Sequence, residues 1–119
     1  MRFVILLTIA LLAAACGGDD SAGMSAEAVE GSEIYQRAGC AACHGSNGEG
    51  GVGPRLIGLL DSEIELEDGS VIIADEAYIR ESIVDPSAKI HAGFEIAMPN
   101  NNLTDDEVDK LVAYIKALG

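Results

Sequence analysis

Residues 39–45 read GCAACHG, and no other stretch of the chain carries as much chemical information. Two thiols, on Cys40 and Cys43, lie three positions apart, and the imidazole of His44 follows the second thiol directly. This C-x-x-C-H spacing is the attachment signature of a c-type haem, because two thiols so placed can add across the two vinyl groups of one porphyrin. The imidazole is then held beneath the iron as an axial ligand. The motif therefore predicts one covalently attached haem c.

A zinc site and a thioredoxin-like dithiol are the alternatives for these two thiols. A structural zinc site needs four ligands, usually from two such pairs, and outside the motif the chain offers only Cys16 and His91. A thioredoxin-like dithiol would need a βαβ setting, which the surrounding sequence does not have. Haem attachment is therefore the preferred interpretation.

The first fifteen residues are typical of an export signal. A charged start with Arg2 is followed by an uncharged apolar run over 3–12 and by small residues up to Ala15. The apolar run is shorter than the roughly 20 residues that span a bilayer. The cysteine that follows, Cys16, resembles the lipidated cysteine of the bacterial lipoprotein lipobox, although Ala13 stands where that family prefers Leu. Cleavage by an ordinary signal peptidase and an uncleaved anchor are the alternatives.

We therefore expect a signal peptide over 1–15, a lipidated cysteine with a flexible glycine-rich tether over 16–25, and one folded domain over 26–119. Such a protein would lie on the periplasmic or extracytoplasmic face of a bacterial membrane, where c-type haem is attached. Its net charge of −13 predicts repulsion from nucleic acid and from anionic lipid, so the lipid would hold it at the membrane. The chain has no Trp and only two Phe, and we expect it to fold poorly without haem.

Apolar periodicity and capping residues predict three helices and a hairpin. The helices are expected over 26–39, from 76 to about 84 after an Asp75 cap, and from the capping box of Thr104 and Glu107 to near the C-terminus. The Asp68-Gly69 pair lies between alternating apolar residues, which predicts a hairpin over 64–73.

The string CAACHGSNGEGGVGPRLIGLL, residues 40–60, resembles the start of class I cytochromes c. The resemblance implies an all-α fold of about three main helices around one haem, to which this chain adds the small β-hairpin. It also implies that the Pro54 carbonyl oxygen bonds the second ring nitrogen of His44, and that Leu56 packs on the haem. The last helix would cross the first, so that Gly31 and Tyr35 meet residues of the last helix, namely Leu111 and Tyr114.

The hairpin region carries a second resemblance. The string LEDGSVIIADEAYIRESIVDPSAKI, residues 66–90, is similar to the cytochrome c domain fused to subunit II of some bacterial haem-copper oxidases. The similarity covers roughly residue 31 to the C-terminus. We expect this chain to lack the copper-binding domain and the transmembrane hairpin that precede that domain in the oxidases.

Met98-Pro99 offers a second axial ligand, 54 positions after His44. A thioether is a soft ligand that raises the potential of a histidine-ligated haem, and Met-Pro is how the sixth-ligand loop reads in class I cytochromes c. One alternative is that Met98 fills a gap in the core. His91 is the competing ligand, and otherwise it would have a surface role; the similar oxidase domains carry an apolar residue near that position.

The resemblance implies an electron carrier rather than an enzyme, because an iron with both axial positions filled has no place for a small-molecule substrate. We expect redox partner proteins, such as a terminal oxidase or a quinol-oxidising complex, bound through a basic partner surface or an apolar contact at the haem edge. One alternative is an obligate cytochrome subunit of an oxidase, reductase or dehydrogenase complex. Another is a haem gas sensor or peroxidase, which requires a labile Met98 and a distal role for His91.

Overall fold

The computed structural model describes residues 23–119. Within that range lie four α-helices and one two-stranded antiparallel sheet. In chain order they are α1 (Ala26–Arg37), α2 (Ala41–His44), β1 (Glu63–Glu65), β2 (Val71–Ile73), α3 (Glu76–Val84) and α4 (Asp105–Ala117). The expected all-α class with a hairpin is confirmed, and α2 is a one-turn helix that the sequence pattern did not predict. The expected signal peptide, Cys16 and most of the tether lie outside the described residues.

Helix α1 begins where expected and ends two residues early. The Ser25 side chain accepts a hydrogen bond from the Ala28 amide at 3.1 Å and satisfies one free donor of the first turn. The helix was predicted to reach Gly39 but stops at Arg37. Gly39 has a φ of 82°, a left-handed conformation that a right-handed helix cannot continue. This turn redirects the chain into α2, which carries the C-x-x-C-H motif.

Helices α1 and α4 cross at Gly31, as expected. A Cβ atom at Gly31 would lie 2.0 Å from the Lys110 carbonyl oxygen, so the two backbones meet where no side chain fits. One turn further along, the rings of Tyr35 and Tyr114 pack with centroids 5.3 Å apart and planes tilted by 58°. Both tyrosines are buried, and Leu111 lies in the same core. This crossing holds the start and the end of the domain together.

The hairpin forms around Asp68-Gly69, with strands of three residues each. Asp68 Oδ1 accepts a hydrogen bond from the Ser70 amide at 2.9 Å, and Gly69 takes a φ of 83° in the turn. Ile64 on β1 pairs with Ile72 on β2 and faces the core. The neighbouring pairs, Glu63 with Ile73 and Glu65 with Val71, lie on the opposite, outward face.

Helices α3 and α4 begin at the predicted caps. Asp75 Oδ1 accepts from the Tyr78 amide at 2.8 Å, and both hydrogen bonds of the Thr104–Glu107 capping box are present. Each helix buries one face against a shared core that also takes in α1 and Leu56. The buried residues of these two helices are Tyr78, Ile79 and Ile83 on α3, and Val108, Leu111, Val112, Tyr114 and Ile115 on α4. No described helix is long and apolar enough to cross a membrane.

Candidate haem site

A cavity of about 540 Å³ opens between the C-x-x-C-H turn, helix α3 and the loop before α4. Its size lies within the roughly 300–1,000 Å³ that small-molecule and cofactor sites occupy. The walls are largely apolar and include Leu56, Ile79, Ile83, Leu111 and Ile115. A planar apolar cofactor with polar substituents fits such a space.

The C-x-x-C-H motif forms one wall of this cavity. Cys40 stands at the N-cap of α2, and Cys43 and His44 lie at its end. Positions i and i+3 share one side of a helical turn, so both thiols line the cavity. Both are half-buried and neither forms a disulfide. The turn therefore presents two thiols and an imidazole to the same space.

The ring of His44 is oriented by the glycine-rich loop over residues 46–54, which follows the motif. Its Nδ1 atom lies 2.8 Å from the carbonyl oxygen of Pro54. Because a carbonyl oxygen can only accept, Nδ1 carries the proton and Nε2 keeps its lone pair. Gly53 allows this close approach, since a Cβ atom there would lie 3.2 Å from Cε1 of the ring. Nε2 is thus the ring atom left to bind a metal.

Leu56 is buried and lines the same cavity. Its amide donates to the Gly48 carbonyl oxygen at 2.8 Å, so the loop is closed by its own backbone. This bond places the Leu56 side chain beside the C-x-x-C-H turn, as a packing surface for a planar ring.

The two residues that the sequence offers as a sixth ligand both lie on the cavity wall. Met98 is 37% exposed and belongs to the irregular segment before α4. His91 is half-buried; its Nδ1 atom lies 3.0 Å from the Ala92 carbonyl oxygen, and its ring packs edge-on against Phe94. The fold therefore brings His44, His91 and Met98 to one cavity although 54 positions separate the outer two.

The site contains two further residues, Ser82 and Asn101, that no sequence motif identifies as site residues. Ser82 on α3 lines the cavity, and its buried hydroxyl has no hydrogen-bond partner among the described residues. An unsatisfied buried hydroxyl costs about 1–3 kcal/mol, and a carboxylate of a bound porphyrin would supply the missing acceptor. Asn101 donates from Nδ2 to the Ile83 carbonyl oxygen at 2.7 Å and so ties the Met98 segment to α3.

Tyr35 closes the site from the side of α1. Its hydroxyl donates to the Gly45 carbonyl oxygen at 2.5 Å, directly after the motif. Burial, with smaller contributions from neighbouring Tyr114, Cys40 and Glu49, raises the pKa of Tyr35 to about 12. The phenol therefore stays protonated and keeps donating this hydrogen bond across the physiological range.

The structure also bears on the alternatives for the two thiols. Burial raises the pKa of the Cys40 thiol, which disfavours the thiolate that a zinc site or a reactive dithiol needs. Residues 23–119 contain no group of three or more His, Cys, Asp and Glu side chains placed to hold a metal ion. The thiol pair with His44 fits haem attachment better than either alternative.

The helical fold and this cavity define a class I c-type cytochrome. The family model described as Cytochrome c matches residues 28–119, more than half of the chain, and the chain therefore belongs to the cytochrome c family. Members of this family bind covalently attached haem c and generally carry electrons rather than act as enzymes. No curated protein matches the chain.

Proposed function

We propose that this protein is a membrane-tethered, mono-haem cytochrome c that carries single electrons between components of a respiratory chain. The observation that carries the proposal is a single cavity lined by Cys40, Cys43, His44 and Met98. A bound haem supplies a one-electron iron couple. The two thiols of Cys40 and Cys43 would hold it through thioether bonds, and Nε2 of His44 and the sulfur of Met98 would be the ligands of its iron.

Neighbouring residues would set the properties of these ligands. The Pro54 carbonyl oxygen, 2.8 Å from His44 Nδ1, keeps the ring in one tautomer and one orientation and makes Nε2 a better donor. Leu56 would pack on the porphyrin face. A thioether ligand favours the ferrous state, so Met98 would raise the reduction potential above that of a bis-histidine site.

With His44 and Met98 both bound to the iron, the residues of this chain would bind and enclose the haem rather than catalyse a reaction. The apolar walls would exclude water from a bound haem, and the partners would be redox proteins rather than small molecules. A terminal oxidase and a quinol-oxidising complex are the kinds of acceptor and donor that we propose. The electron would leave a bound haem at the mouth of the cavity.

The tether is the second part of the proposal. Residues 1–15 would be removed as a signal peptide, Cys16 would carry lipid, and residues 16–25 would link the lipid to the domain over 26–119. The protein would then act at the periplasmic or extracytoplasmic face of the membrane. Mass spectrometry of the membrane-extracted protein should show an acylated Cys16 at the N-terminus. A Cys16→Ser protein that still fractionates with membranes would contradict this tether.

The ligand set is tested by absorption spectra of the haem-loaded protein, oxidised and reduced, with and without carbon monoxide. We expect haem that survives acid-acetone extraction, a methionine–iron charge-transfer band in the oxidised form, and no reaction with carbon monoxide. Met98→Ala should lose the band, bind carbon monoxide and lower the potential by on the order of 0.1 V, within the roughly 0.8 V that axial ligands control. His91→Ala is the matched control and should keep all three properties.

Two observations favour other functions, and each names the function that would hold if the proposed electron carrier were wrong. His91 lines the cavity, and within residues 23–119 its ring nitrogen contact is the one from Nδ1 to the Ala92 carbonyl oxygen, which suits a gas sensor or peroxidase if wild-type protein binds carbon monoxide readily. The hairpin that resembles an oxidase-fused domain is present, which suits an obligate subunit of an oxidase, reductase or dehydrogenase. Stable co-purification with such a complex in mild detergent would favour the subunit over a mobile carrier.

A further inference from the structure

The outward face of the hairpin is an exposed surface of mixed chemistry. Val71 and Ile73 are 56% and 53% exposed, and they lie two residues apart on the same face of β2. Directly beside them on β1 stand Glu65 and Glu63. We call these four residues the hairpin patch. Single exposed apolar residues are normal, but two adjacent β-branched side chains framed by carboxylates form a contiguous patch.

The negative charge of the hairpin patch is not neutralised within the described part of the chain. Residues 56–79 contain seven acidic residues and no Lys or Arg. Five of the six cationic residues between 23 and 119 form ion pairs, and among those pairs none involves Glu63 or Glu65. Any surface that covers this patch must therefore bring positive charge of its own.

The hairpin patch lies next to the haem cavity. Glu67, two residues beyond Glu65, lines the cavity, and its amide donates to the Ile90 carbonyl oxygen at 2.8 Å. Two residues of an extended strand span about 7 Å. A standard protein interface buries about 800 Å² on each partner, far more than four side chains, so a protein seated on the patch would also cover the cavity rim.

We propose that the hairpin patch docks a redox protein that presents an apolar centre ringed by Lys and Arg. The inference rests on the electron-carrying function proposed above and names the chemistry of its partner. One electron passes from the reduced iron of this protein to the oxidised centre of the partner, or in reverse, and no bond or proton changes place. A second copy of this chain fits poorly, because a two-fold contact here would place Glu63 and Glu65 against carboxylates of the same sign.

The chain's own N-terminal segment is likewise a poor occupant. Residues 1–22 contain Asp19 and Asp20, and their one cationic residue, Arg2, belongs to the proposed signal peptide. The segment that would remain after cleavage carries the same sign of charge as the patch. A basic partner protein is the occupant that the charges favour.

Stopped-flow electron transfer from the reduced, haem-loaded protein to an oxidised lysine-rich class I cytochrome c tests the proposal. Glu63→Gln/Glu65→Gln should slow the second-order reaction about fivefold at an ionic strength near 0.01 M, with a smaller effect near 0.15 M, where screening acts within about 8 Å. Glu27→Gln/Glu33→Gln removes the same charge from exposed positions on α1 and should change the rate less than about twofold.

A second pair of variants tests the apolar part of the patch. Val71→Thr keeps shape and β-branching but adds a hydroxyl, and it should slow the reaction about threefold at both ionic strengths. Val84→Thr on α3 changes a valine of nearly equal exposure, 58% against 56%, and should leave the rate unchanged. Equal rates for the hairpin and control variants would overturn the docking proposal.

Further measurements separate the other outcomes. Reversible oxidation of every variant by ferricyanide should be unchanged; if wild type itself cannot be cycled, the proposed function fails rather than the docking surface. A wild-type dimer in sedimentation velocity that Val71→Thr dissociates would make a second copy the occupant and overturn the proposal. A spin label attached to a Ser21→Cys protein would test the N-terminal segment by NMR. If it broadened the amide resonances of residues 71–73, the N-terminal segment would be the occupant and the proposal would be overturned.

Discussion

Replacing Gly31 by Ala tests the helix crossing that closes the domain. A methyl group there would lie 2.0 Å from the Lys110 carbonyl oxygen, 2.6 Å from its carbon and 2.9 Å from Cβ of Tyr114. Two of these three atoms are backbone, so no side-chain rotation relieves the clash. To reach the 3.4 Å of ordinary contact, α1 and α4 must separate locally by about 1.4 Å.

The expected loss in the free energy of unfolding comes from weaker packing between α1 and α4 when they separate. A gap of about 0.5–1 Å already forfeits a quarter to a half of the dispersion attraction between packed atoms. Overpacking costs about 1–3 kcal/mol, and the backbone contact puts Gly31→Ala at the upper end, near 3 kcal/mol. Alanine returns about 1 kcal/mol through its better helix propensity. The net destabilisation is therefore about 2 kcal/mol, which lowers Tm by about 8–16 °C for a domain of this size.

Thermal unfolding of the haem-loaded protein, followed by circular dichroism, measures this change. Glu33→Ala is the matched control, because it alters an exposed position of the same helix and should shift stability by no more than about 0.5 kcal/mol. If Gly31→Ala is as stable as wild type, or more stable because of its helix propensity, then the two backbones do not meet at this position and the reasoning is refuted.

Three further changes have defined outcomes. Thr104→Ala removes the cap of α4 and should cost about 1 kcal/mol, lowering Tm by about 4–8 °C in the same thermal scan; an unchanged Tm would contradict the cap. Burial raises the pKa of Tyr35 from 10.0 to about 12, so the stability contributed by its neutral phenol is complete below pH 10 and is lost as the pH rises to 12. Tyr35→Phe should therefore flatten the fall of Tm over that range, and equal slopes would contradict the assignment. Cys40→Ala/Cys43→Ala should hold no covalent haem and lose cooperative unfolding by circular dichroism; a sharp transition would contradict the expectation that haem completes the core.

The predictions from sequence succeeded where the determining interactions are local. The Asp75 and Thr104 caps, and the Asp68-Gly69 turn, each depend on atoms within three or four residues, and all three are present. The end of α1 at Arg37, two residues before the predicted end, is also determined locally, because the left-handed conformation of Gly39 stops the helix.

The crossing of α1 and α4 was expected from a resemblance rather than from physics. Sequence spacing shows that Gly31 carries an energetic cost, but it does not show which backbone approaches it. The Lys110 carbonyl oxygen, 79 positions later, is the atom that requires a glycine. Long-range packing of this kind depends on how two helices meet, which the periodicity of either helix alone does not determine.

The chemistry of the haem motif follows from the sequence alone, because thiol spacing and an adjacent imidazole are properties of five consecutive residues. The surroundings that complete the site follow only from the tertiary structure. The hydrogen bonds from Tyr35 to Gly45 and from Asn101 to Ile83 join residues that are 10 and 18 positions apart. The Ser82 hydroxyl faces a cavity that no single segment of the chain forms. The negative charge of the hairpin is a similar case. The acidic run is visible in the sequence, but only the folded structure shows that five of the six cationic residues between 23 and 119 pair with carboxylates outside the hairpin patch. The spacing of the haem motif is determined by consecutive residues, so the sequence alone defines it. Burial and charge compensation depend on which distant residues come together, so only the folded structure defines them.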